Sequence, residues 1–291
     1  PGGPPSPGGS VPELGCGADP GRCGFPDATS TGVRESITLR QVPSQVSSGK
    51  GWHYDQRGWV TIDGDGAVLE GLQIPYTLDI TADNVTIRDC RLPLGGDNYH
   101  ITLRHTHGTT IEHNDIGPDN IDDRLGAAIK DVHGDSTSTT VRANDLRHIS
   151  TGIQLDAGLI QDNYLHDFGY HDGDHINGTT SNGGTDQLTI RHNTILNNHS
   201  QTDAISLFQD FGPQANRTID NNLLAGGSYT IYAGARPTDD TTTNIRITDN
   251  RISRLYYPHG GEYGPITAYN PHGTGNTLTG NTWDDTGQPV G

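Results

Sequence analysis

IEHNDI at residues 111–116 recurs six more times in altered form: VRANDL at 141–146, IQDNYL at 160–165, IRHNTI at 190–195, IDNNLL at 219–224, ITDNRI at 247–252 and LTGNTW at 278–283. An asparagine holds the fourth place in every copy: Asn114, Asn144, Asn163, Asn193, Asn222, Asn250 and Asn281. Successive copies lie 30, 19, 30, 29, 28 and 31 residues apart. A period of this size marks a solenoid. Each phrase alternates apolar and polar residues, as a strand does. The chain is therefore read as all-β, with stacked coils that bury their apolar faces on one another.

The repeat runs without a break, so the 291 residues form one main domain. Glycine accounts for 40 residues and aromatics for only 6%, which leaves a core built from small and β-branched side chains. No apolar run is long enough for a membrane span. The net charge of −17 argues against nonspecific nucleic-acid binding, which needs Lys and Arg against phosphate. An acidic substrate stays open, because binding depends on the local field of a groove.

Methionine is absent even at position 1, which predicts a cleaved signal peptide and secretion. Two lysines, Lys50 and Lys130, against 16 arginines suggest a GC-rich bacterial source. Cys16 and Cys23, in a Gly/Pro-rich segment, are expected to form a local disulfide. Cys90 stands where other coils carry the asparagine (RDCRL against EHNDI) and is expected to be a buried free thiol.

The repeated phrase resembles that of the right-handed parallel β-helix, the pectate-lyase-like superfamily, over roughly residues 60–285. The resemblance implies that the asparagines stack in a turn and hydrogen-bond along the tube. It also implies a polysaccharide groove on an outward face. The expected organisation is a Pro/Gly linker at 1–12, an N-terminal cap at 13–60 holding the Cys16–Cys23 loop, and a β-helix at 61–291. The polar end, DDTGQPVG, is expected to fray.

A second apolar strand in each coil aligns on Ile80, Ile101, Ile129, Ile153, Ile176, Ile205, Ile231 and Ile266. The neighbours of each inward residue point outward. They predict a strip of Asp79, Thr102, Lys130, Gln154, Asn177, Ser206, Tyr232 and Thr267, flanked by His175 and, further along, by Arg104, Asp156 and Phe208. The loop LHDFGYHDGDHINGT before and around Asp174 is dense in ionisable groups.

Three chemistries fit this strip. In β-elimination on a uronic-acid polymer (pectate, alginate, a glucuronan or a glycosaminoglycan such as hyaluronan), Lys130 or His175 is the base and Tyr232 the acid. Gln154, Asn177, Arg104, Ser206 and Tyr170 then bind substrate. Asp174 and Asp203 orient the basic groups or, with Asp172, hold Ca²⁺ as in some lyases of the resembled fold. A glycoside hydrolase would instead use Asp174 and Asp203 as an acid–base pair. A non-enzymatic carbohydrate-binding solenoid is the third reading. The lyase is the expectation carried forward, as a monomer with an acidic polysaccharide as partner.

Overall fold

The structure, a computed structural model, describes residues 15–236 and 241–290; the stretch 1–12 lies outside the described residues. The chain winds as a parallel β-solenoid. Among the described residues three sheets of ten, eleven and nine strands run its length, and each regular coil adds one strand to each. Inward-facing Ile, Leu and Val fill the tube as one continuous core. No helix among the described residues is long and apolar enough to cross a membrane.

The asparagines occupy the turn between the nine-stranded and ten-stranded sheets. Each donates from Nδ2 to Oδ1 of the next, Asn114 to Asn144 at 2.9 Å and so on through Asn163, Asn193, Asn222 and Asn250 to Asn281. The same Oδ1 also accepts the backbone N–H of the preceding Asn. The residue before each ladder position lies in the left-handed region, with φ between 49 and 57° at Asp89, His113, Ala143, Asp162, His192, Asn221 and Asp249. Asp, Asn and His tolerate that conformation best among residues with a Cβ. Cys90 ends the ladder: its N–H donates to Asn114 Oδ1 at 2.9 Å, and burial pushes its thiol up to about 12.

The expected cap divides into two parts. Residues 40–62 cover the first coil, with Trp52–Tyr54 antiparallel to Trp59–Ile62 and Trp52 packed on the core. Residues 15–36 do something else. They run as a strap along the ten-stranded sheet from its last coil back to its first. The Gly17 N–H donates to Asp284 Oδ2 at 2.8 Å, Phe25 stacks on His192, Gly32 N–H donates to Ala143 O, Val33 N–H donates to Asp115 Oδ1, and Arg34 pairs with Asp89. The Cys16–Cys23 disulfide is formed at the far end of the strap. The polar C-terminal segment folds back instead of fraying, with Val290 N–H donating to Asn281 O.

On the ten-stranded sheet the His166 ring lies between Asp145 at 3.2 Å and Asp167 at 2.8 Å, and stacks on Tyr164. Burial opposes its charge, but the two carboxylates prevail and raise its pKa from 6.5 to about 9. Folding therefore tightens proton binding. The resulting stability is complete below pH 6.5 and lost as pH rises through about 9. The unfolding free energy from denaturant titrations should fall across that window by about 1–3 kcal/mol in total. His166→Gln should flatten the fall.

Candidate functional site

The eleven-stranded sheet carries the outward strip. Its register runs Asp79, Thr102, Lys130, Gln154, Thr180, Ser206, Tyr232 and Thr267 over successive strands. This is the expected column except at one coil. There Thr179, not Ile176, stands opposite Ile153, and Thr180 takes the place expected for Asn177. At the start of the tube Leu78, not Ile80, faces Ile101. The strand Asn177–Ser181 reads NGTTS, buried throughout yet without a large apolar residue. An apolar alignment therefore settles on the nearest isoleucine. Ile176 is buried too, but at the strand's entrance, where its carbonyl accepts the Asp203 N–H.

The shift of three residues builds a second column, Thr151, Asn177 and Asp203, beside the first. A groove of about 430 Å³ opens over both and is lined by Gln154, His175, Asn177, Thr180, Asn182, Phe208, Asp210 and Tyr232 among others. This volume is in the range of small-ligand sites. The structure thus brings His175, Asn177, Gln154 and Tyr232 together. His175 is exposed, on the loop that enters the strand, and Asn177 Oδ1 is buried without a hydrogen-bond partner.

Tyr232 is held by aromatic neighbours, Phe208 at 5.8 Å and Tyr229 edge-on at 5.6 Å between ring centres. Burial, and then the nearby Asp203, raise its pKa. The phenol therefore keeps its proton at neutral pH and is suited to donate it.

Other expected residues fall elsewhere. Lys130 stands four strands from Tyr232, about 19 Å at ordinary strand spacing, so the two cannot serve one bond. Its ammonium lies over the Tyr99 ring, 4.4 Å from the centroid. Arg104 is bound to Asp79 at 2.6 Å, and Tyr170 leans on His199 outside the groove. Ser206 keeps its place in the column but is fully buried.

Asp174 and Asp203 are not the neighbours they were expected to be; Asp203 pairs in register with Asn177. The Arg124 guanidinium grips Asp174 with two nitrogens, both at 2.7 Å, and reaches Asp97 at 2.6 Å with the third. Asp203 is fully buried with no hydrogen-bond partner for either carboxylate oxygen, and burial pushes its carboxyl well above the usual carboxylate range. Among the described residues no three His, Cys, Asp or Glu side chains gather to hold a metal, so the expected Ca²⁺ set of Asp172, Asp174 and Asp203 does not assemble.

Arg124 nonetheless serves the groove. Asp174 precedes His175, so the ion pair fixes the loop that presents the imidazole. Arg124→Lys keeps the charge but loses the fork. If His175 is the base expected from the sequence, this variant misplaces it and lowers turnover on a uronate polymer about tenfold, measured beside a melting curve that reports any loss of stability. No protein-family model matches the chain, and no curated protein matches it.

Proposed function

We propose that the chain cleaves an acidic polysaccharide by β-elimination, with His175 as base and Tyr232 as acid. The observation that carries this reading is the presence in one groove of an exposed imidazole, a phenol kept protonated and the amide side chains of Gln154, Asn177 and Asn182. His175 takes the proton α to the uronate carboxylate, and the electrons of that C–H bond form the C=C bond. The C–O bond to the neighbouring sugar breaks, and Tyr232 protonates the departing oxygen. The amides of Asn177 and Gln154 hold the carboxylate, whose charge grows towards the enolate. Water then returns a proton to Tyr232 and removes one from His175.

Neither Lys nor Arg lines this groove. Amide neutralisation therefore replaces the cation that a Lys130 scheme would have supplied. The resemblance to the pectate-lyase-like superfamily supports a polysaccharide substrate, and the Cys16–Cys23 disulfide supports an oxidising, exported setting. A hydrolase pair has less support, since Asp174 is committed to Arg124 and Asp203 is buried.

The test is the ultraviolet absorbance of the product when the protein acts on a panel of uronate polymers. A rise supports elimination. New reducing ends without a rise mean hydrolysis and sink the proposal.

A further inference from the structure

The cations on the groove face can be sorted by what they touch. Arg57 pairs with Asp55, Arg104 with Asp79, and Arg124 with Asp174 and Asp97. Arg236 is engaged by the Gln209 carbonyl. Lys130 differs. Its ammonium touches only Tyr99, 3.4 Å from the hydroxyl and over the ring, and is paired with no carboxylate among the described residues. Tyr99 is itself 42% exposed. A charge and an aromatic ring thus stand together at the surface, next to Gln154 at one end of the groove, with Tyr232 at the other.

We propose that Lys130, braced by Tyr99, is a carboxylate-binding subsite one strand beyond the end of the groove remote from Tyr232, so that the site selects acidic oligomers long enough to span both. This rests on the elimination reading of the groove. The span is four strand spacings, about 19 Å, and one sugar repeat of an extended polymer is close to one such spacing. A chain laid across the strands therefore places a carboxylate at Lys130 about four sugars from the bond at Tyr232. The protein's charge of −17 repels an acidic polymer overall, which gives a cation without a carboxylate partner beside the groove unusual weight in placing it. The ring contact restrains the lysine side chain and lowers the entropy lost on binding.

The experiment titrates saturated uronate oligomers of increasing length into the Tyr232→Phe protein, with Lys130 intact, as Lys130→Ala or as Lys130→Arg. With Lys130 intact, affinity should step up about tenfold once the oligomer spans the groove, the worth of one charge-assisted hydrogen bond. Lys130→Ala should remove the step, and Lys130→Arg should restore it. Added salt should shrink it. The same loss should show in KM for the polymer with active protein. The absence of a length step, binding unaffected by Lys130→Ala, or no binding at all overturns the proposal. Failure of the wild-type protein to release unsaturated product would instead remove the elimination reading, while the binding titration still judges Lys130.

Discussion

Tyr232→Phe is expected to cut turnover by at least about 10²-fold, the ordinary worth of a positioned general acid. The substitution removes one oxygen and leaves the ring against Phe208 and Tyr229, so stability should hardly change. His175→Ala should cost a similar factor by removing the base. The two losses should not multiply in the double variant, because both groups serve one concerted step. Single-turnover rates on a uronate polymer decide the matter. If Tyr232→Phe retains more than about a third of the rate, a loss too small for general-acid catalysis, Tyr232 is not the acid. The burial that raises its pKa also predicts an activity that persists to alkaline pH, because the phenol holds its proton there.

The largest loss of stability is expected for Asn193→Ala, at the middle of the asparagine column. Its Oδ1 accepts from Asn163 N–H and Nδ2, and its own Nδ2 donates to Ile160 O, Arg191 O and Asn222 Oδ1. Alanine leaves these groups buried with no water to replace the amide. Each orphaned group costs about 1–3 kcal/mol, and several are affected, so we expect about 3–5 kcal/mol in all. That is a large share of a typical domain's stability of about 5–15 kcal/mol. Asn281→Ala, with a ladder partner on one side only, should cost about half as much. Urea midpoints of the two variants provide the comparison. Equal and small losses at both positions would mean that the column does not act as a connected network.

The tube was legible in the sequence because its determinants repeat. One asparagine per coil, preceded by Asp, Asn, His or Gly in every copy but the one after Ala143, reveals the turn that closes each circuit. The strip was legible wherever the inward residue was apolar, which is why Lys130, Gln154, Ser206 and Tyr232 fell into register as expected. It failed at NGTTS, where Thr179 fills an apolar slot. A better guide was available there. TGIQ at 151–154 and NGTT at 177–180 align through Gly152 and Gly178, whose added Cβ atoms would collide with the next strand of the sheet and with the core, at Gly178 O and Leu165 for one and at Ala204 O and Ile195 for the other. Two facts had no signal of this kind. Arg124 meets Asp174 across 50 residues, and its role depends on a loop conformation that no local pattern announces. The burial of Asp203 depends on what covers it, whereas composition reports only that an acid is present.

The strap had no periodic signal either, and it alters the mechanics of the whole molecule. A bare stack of coils peels from its free end, one layer at a time, because each layer adheres only to the next. Here Gly17 is fastened to Asp284 across 267 positions of sequence. The terminal layer cannot lift away without tearing the opening segment from its seat, and each intermediate anchor resists in turn. Contact order rises accordingly, so the final closure must wait until the last coil exists. The tube is thus laced lengthwise, and a structure that would otherwise fray in stages is made to hold or give way as one body.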